Sequence, residues 1–238
     1  MKSFARWIGL CLLALLCLQL YFVGRIALMA VLAPQSTAFE RSQAWQIAAA
    51  KGALPWRQKW QDYAQISDNL KRAVIASEDD GFANHDGVDW DALEKAWARN
   101  ARAQERAEAS RSKRPPKIVG GSTITQQLAK NLFLAGERTL LRKGQELVLT
   151  LALEALLSKQ RILEIYLNHV EWGEGVFGAE AAAQHYFRKS ASRLSAYEAA
   201  RLAVMLPRPK YFEKLPNSAY LSGRAGVIVE RMPSAQLP

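Results

Sequence analysis

The sequence predicts a mainly α-helical protein, with one N-terminal transmembrane helix followed by a helical domain. Three observations predict it. An uncharged apolar run opens the chain, apolar residues beyond it recur at helical spacing, and alternating runs of strand type are few, with no internal repeat. A length of 238 residues supplies one good-sized core or two small lobes sharing one.

Residues 7–24 form eighteen positions without a charge, and after Arg25 the apolar character resumes to Ala33. A helix of that length spans a bilayer. A cleaved secretory signal would carry an apolar core of roughly 7–15 residues before a small-x-small site, and this run is longer, so an uncleaved anchor is the preferred reading. Lys2 and Arg6 precede it with no acid nearby. The positive-inside rule then leaves residues 1–6 in the cytoplasm, residues 7–33 in the membrane and everything after about Pro34 outside. Arg25 snorkels to the outer interface or faces a partner. Cys11 and Cys17 both fall inside the apolar run, so the exported part has no disulfide, and no Cys/His pattern suits zinc. The net charge of +10 includes Lys2, Arg6 and Arg25, so residues 34–238 carry 29 basic against 22 acidic groups, a balance of +7. A basic domain beside a membrane favours anionic headgroups and a pyrophosphate delivered there.

Residues 34–67 read as a membrane-proximal segment whose Trp45, Trp56 and Trp60 suit either the interface or ordinary core packing. A helix begins at Asp68 with Leu70, Val74 and Ile75 on one face, and another runs from Asp89 to about Glu108. The basic, Ala/Ser-rich tract over 99–117 ends in Pro115 and Pro116 and reads as a solvated, mobile loop. It lacks the interleaved aromatics of a nucleic-acid surface, so no nucleic-acid partner is expected. Helices follow at about 123–134, 142–168, 178–187, 195–206 and 217–232. In the longest, Glu146, Thr150 and Glu154 fall at i, i+4 and i+8 and make one polar stripe on an otherwise apolar helix. Such a helix is expected to be buried on most sides, with Glu146 facing an internal cleft.

Two segments about forty residues apart carry chemistry. In the first, Glu78, Asp79 and Asp80 are followed by Gly81, Phe82, His85 and Gly87. Phe82 can bury beside Glu78 and raise its pKa by desolvation, which makes a usable general base, while Asp79 and His85 position the loop. Standing alone, an acidic pair of this kind would more often cap a helix or solvate a turn. The second segment runs from Gly120 and Gly121 through Ser122, Thr123, Thr125, Gln126 and Gln127 to Lys130 and Asn131. Thr123 and Gln126 fit a capping box, and the helix N-terminus suits hydroxyls, carboxylates or phosphate. A well-capped helix and nothing more is the plainer alternative. Lys130, Arg138, Arg142 and Lys143 surround Glu146 in sequence, either as a salt-bridge network or as a pyrophosphate clamp.

Taken together and in this order, the two segments resemble the signature of the peptidoglycan glycosyltransferases, and the likeness covers about residues 68–232. Segments 159–168, 175–187 and 198–207 also look like later motifs of the family and read as scaffold, with Glu180 joining a helix pair. Because the likeness ends near residue 232, the chain is similar to the monofunctional biosynthetic peptidoglycan transglycosylases, with residues 233–238 as a tail. The resemblance implies a lysozyme-like helical glycosyltransferase domain that polymerises lipid II into glycan strands, with Glu78 and Glu146 as catalytic residues. It implies that Lys130 and Arg138, with Arg142 and Lys143, meet the pyrophosphate, and that Ser122, Thr123, Gln126, Gln127, Asp79, His85 and Lys95 contribute to substrate binding. It implies no certain cofactor, with a divalent cation, Mg or Mn, left open at the pyrophosphate. Expected partners are lipid II, the growing strand, the bacterial inner membrane and cell-wall synthesis or division proteins, with the catalytic domain in the periplasm. The chain departs from the family in having Lys95 where relatives usually have arginine, and in a long basic insertion over 102–117. Two alternatives stay open: a lysozyme-like lytic transglycosylase, and a non-catalytic membrane-anchored scaffold.

Overall fold

The computed structural model describes residues 2–110, 120–134, 136 and 139–238. Helix α1, Lys2–Met29, has 28 residues, enough for about 42 Å at about 1.5 Å per residue. The most apolar 18-residue window of its Ser3–Met29 stretch has a mean hydropathy of 2.1, and none of that window is covered by the rest of the chain. The far end of the helix is docked. Ile26 and Met29 are buried, Phe22 meets Phe133 edge-on at 5.3 Å, and Arg161 Nε donates to the Met29 carbonyl at 2.7 Å. Gln19 and Gln145 exchange two amide hydrogen bonds of 3.1 Å. Arg25 donates to the Tyr21 hydroxyl at 3.0 Å.

After α2 (Ala38–Lys51) and the two-residue strand β1 (Arg57–Gln58) comes α3 (Asp68–Glu78), then α4 (Trp90–Ala109), α5 (Ile124–Phe133), α6 (Leu140–Leu156) and α7 (Lys159–His169). Strands β2 (Glu171–Gly173) and β3 (Val176–Phe177) lead to α8 (Ala179–Phe187), α9 (Ala196–Met205), α10 (Pro209–Glu213) and α11 (Ala219–Arg231). The strands form one small sheet in the order β1-β3-β2, parallel then antiparallel. Pieces of two or three residues are too short to show alternation. Hydroxyl residues open most of the helices: Ser67, Thr123, Thr139, Ser158, Ser195 and Ser218 each accept a backbone N–H of the first turn. Helix α3 packs against α9 and α11, and α5 lies among α2, α6 and α7. Leu70, Val74 and Ile75 are fully buried in that core.

Three expectations need correcting. The helix read over 142–168 is two helices, because Leu157 is extended (φ −120°, ψ 147°) and the Ser158 side chain caps a new start by accepting from Arg161 N. Nor is its first half buried on most sides. Glu146, Leu149, Thr150 and Leu153 face inward, while Leu140 and Leu141 are 92% and 86% exposed, and Val148 and Leu151 are also open. Over residues 99–109, where the expected helix from Asp89 to about Glu108 overlaps the expected loop, the chain is helical through Ala109, since Ala, Arg, Gln and Glu favour a helix. The remainder of the basic tract falls in residues 111–119, which lie outside the described residues. Among the three tryptophans, Trp45 is exposed, Trp56 stacks on Phe177 at 4.5 Å and Trp60 packs against the core.

The loop from α3 to α4 lies directly on the polar stripe of α6. Gly87 has φ +87°, and a Cβ there would sit 2.7 Å from Thr150 Cγ2 and 2.9 Å from Glu154 Cγ. Both the backbone angle and the approach demand glycine. Gly87→Ala is therefore expected to cost about 2 kcal/mol, combining left-handed strain with overpacking. Thermal melts in detergent should fall by roughly 4–8 °C, and an unchanged melting temperature would mean that the loop does not pack this way.

Candidate active site

Glu78 is the last residue of α3, where the chain leaves the helix and Asp79 becomes its C-cap. Its carboxylate faces a cavity of about 550 Å³ whose lining includes Asp79, Asp80, Lys95 and Ser122. Gln127 Nε2 donates to Glu78 Oε2 at 3.0 Å, and the buried Tyr166 hydroxyl donates to Gln127 Oε1 at 2.9 Å. The tyrosine thus turns the amide so that its NH₂ end meets the glutamate. Burial, foremost, raises the Glu78 pKa above 4.5; hydrogen bonds from Gln127 and Ser77 pull it partly back, and the Asp79 charge pushes it up. Burial, with Glu78 and Asp79 nearby, holds the Tyr166 phenol well above its usual 10, so it stays a donor.

Asp79 ties three segments together. One carboxylate oxygen pairs with His85 Nε2 at 2.8 Å, and the other accepts the Ile124 backbone N–H at the start of α5, at 2.9 Å. The Gly87 N–H donates to His85 Nδ1 at 3.1 Å, which places the imidazole proton on Nε2, toward Asp79. Phe82 is fully buried beneath this loop, with Lys159 Nζ 4.6 Å from its ring centre. Thr123 and Gln126 close a capping box on each other, and Thr123 Oγ1 also donates to the Gly87 carbonyl at 2.6 Å. These hydrogen bonds hold α5 in place and are made within the protein.

Lys130 is exposed on α5. It follows Gln127 by three residues, so the two lie on the same helix face, about 5–6 Å apart at Cβ. Glu146 is 4% exposed and receives two cations: Arg142 Nη1 at 2.7 Å and Lys143 Nζ. Two positive charges share one carboxylate, and the buried Arg142 Nε–H has no hydrogen-bond partner among the described residues. Glu154, further along the stripe, accepts from Thr125 at 2.5 Å and Lys159 at 2.8 Å.

The model of the Transglycosylase family matches residues 46–233. A protein of Burkholderia thailandensis described as a biosynthetic peptidoglycan transglycosylase is 54% identical over 241 residues, covering 100% of this chain and 90% of its own. Proteins of the same description from Paraburkholderia phytofirmans and Herminiimonas arsenicoxydans are each 52% identical over 227 residues, covering 95% of this chain and 90% and 94% of theirs. This chain belongs to the transglycosylase family.

Within this transglycosylase-family domain, the structure pairs Glu78 with Gln127 and, at the adjacent residue, Asp79 with His85, and it gathers Arg142, Lys143 and Glu146 into another group. Ser122 and Lys95 line the cavity. Arg138 lies outside the described residues. Tyr166 was read as scaffold and proves to orient the Glu78 donor; its sequence signal was only a hydroxyl on the apolar run Ile165, Tyr166 and Leu167. The residues do not suit a divalent cation near Glu146, since Arg142 and Lys143 already take both carboxylate oxygens. Among the described residues no group of three or more His, Cys, Asp and Glu is arranged to hold one.

The raised pKa sets a sign for stability. A carboxyl that holds its proton more tightly when folded contributes stability below 4.5, its ordinary value, and loses it as pH rises through the folded value. Glu78→Gln should therefore melt above the wild type at pH 7–8, with the gap closing toward about pH 4. A lower melting temperature at every pH would contradict the burial argument. Tyr166→Phe should keep the fold and lower turnover about tenfold by freeing the Gln127 amide.

Proposed function

We propose that this protein is a peptidoglycan glycan polymerase that uses lipid II, and that Glu78 is its general base. The reading is supported by one arrangement above all: a carboxylate of raised pKa opens on a cavity and is held by Gln127, one helical turn from Lys130. Glu78 accepts the proton of the 4-hydroxyl on the acceptor N-acetylglucosamine as that oxygen attacks C1 of the donor N-acetylmuramic acid. The C1–O bond to the pyrophosphate breaks, undecaprenyl pyrophosphate leaves, and attack from the opposite face turns the α-linked donor into a β-1,4 linkage. Pyrophosphate leaves readily once its charge is met. Lys130, Arg142 and Lys143 supply that charge, and Glu146 holds two of them in place.

The apolar α1 acts as a single-pass anchor with its N-terminus in the cytoplasm, following Lys2 and Arg6. Its docked end, with Ile26 and Met29 in the core, favours a retained helix over a cleaved one. The outward leucines of α6 lie on the helix that carries Gln145, the contact of α1. These contacts favour a cavity beside the bilayer of the inner membrane, on its periplasmic side, where a lipid-linked donor is presented.

A lytic enzyme of related fold would also employ one glutamate. The pair of cations gathered on Glu146 favours a donor carrying pyrophosphate. Gel analysis of products from labelled lipid II, beside digestion of finished cell wall, separates the two. Polymer should form from lipid II, with no soluble fragments from wall. Glu78→Gln should lower polymerisation by about 10³-fold while keeping lipid II binding, and Arg142→Ala by about 10²-fold. Fragments from wall, or wild-type turnover in Glu78→Gln, would contradict the proposal.

A further inference from the structure

The cavity in front of Glu78 has cationic side chains that the chemistry above leaves unused. Arg231 ends α11, and Arg99 stands one helical turn beyond Lys95 on α4; both line the cavity. Arg231 Nη2 lies 3.3 Å from Asp80 Oδ2, with side chains 38% and 56% exposed. An ion pair this open to water is weak and exchanges readily. Asp80 is thus a resident carboxylate on a guanidinium fork whose geometry suits carboxylates in general.

The cavity also differs in charge from the cluster on α6. Its lining carries the carboxylates of Glu78, Asp79, Asp80, Asp89 and Asp91 against Lys95, Arg99 and Arg231. A concentrated multiple charge such as a diphosphate is better met on α6, where two cations share one carboxylate. A single carboxylate on a flexible substituent suits the cavity, because it needs only to replace Asp80. On the polymerase reading, each sugar substrate brings such a group, since its pentapeptide ends in a carboxylate.

We propose that Arg231, with Arg99 contributing from α4, recognises a carboxylate of the substrate's peptide substituent, and that Asp80 occupies Arg231 until that carboxylate displaces it. This rests on the polymerase reading and adds a specificity-determining contact to it.

The test uses the full chain in detergent with two forms of lipid II, one with free peptide carboxylates and one with all of them converted to carboxamides. The readout is the ratio of kcat/KM for the acidic over the amidated form. Arg231→Gln should lower that ratio about tenfold, through KM rather than kcat. Asp80→Asn should raise it, and Arg231→Lys should fall between wild type and Arg231→Gln. Should Arg231→Gln fail to fold by circular dichroism, the solvent-exposed Asp80→Asn and Arg99→Gln variants decide by the same ratio. A ratio within about twofold of wild type across the folded variants would overturn the proposal, because a merely structural role slows both substrates alike. A wild type that converts neither form would instead overturn the polymerase reading, and this inference with it.

Discussion

The site depends on how Asp79 divides its two oxygens. One meets His85 and the other the first free N–H of α5, so the turn after α3 is fastened to a helix whose sequence begins 45 residues later. A buried carboxylate needs such partners, since it would be costly without them. In being satisfied it sets the position of its neighbour Glu78 relative to Gln127. Gly87 and Thr123 complete the fastening from the other end of the loop, the first by its close approach to α6 and the second by its bond to the Gly87 carbonyl. Glu78 is left with two neutral donors, Gln127 and Ser77, whose pull does not outweigh burial and the charged neighbour Asp79, so it stays more basic than a solvated glutamate.

Helix α6 joins this site to the apolar α1. On one side Gln145 bonds to Gln19 of the apolar α1, and on the inner side Glu146 gathers Arg142 and Lys143. Further along the same stripe, Thr150 and Glu154 receive the loop between α3 and α4 at Gly87. One rigid element therefore relates the apolar α1, the two cations on Glu146 and the loop that follows Glu78. A substrate whose lipid stays in the bilayer requires such a fixed relation between membrane and reacting sugar.

Much of this was legible in the sequence, for identifiable reasons. Helix starts at Asp68, near Thr123 and near Ser195 carry hydroxyl caps before apolar repeats, so they read correctly. The polar stripe of Glu146, Thr150 and Glu154 was visible because its spacing matches a helix face. The break at Leu157 was not, because the segment stays rich in helix formers and only Ser158 marks the new cap. Nor could sequence reveal that α6 leaves Leu140 and Leu141 uncovered, since apolar character does not specify what covers it. Tyr166 escaped notice because its role is a second-hand one, exerted through Gln127 across two helices. Arg231 and Asp80 are far apart in the chain and meet only through the packing of α11 on α3.

The most direct measurement is the pH dependence of single-turnover glycosyl transfer from lipid II in wild type and Asp79→Asn. A general base at Glu78, raised by burial and by the Asp79 charge, predicts a rate that climbs with pH through a limb centred above 4.5, moving downward when that charge is removed. A limb at or below 4.5, or one that stays in place in Asp79→Asn, would contradict the account.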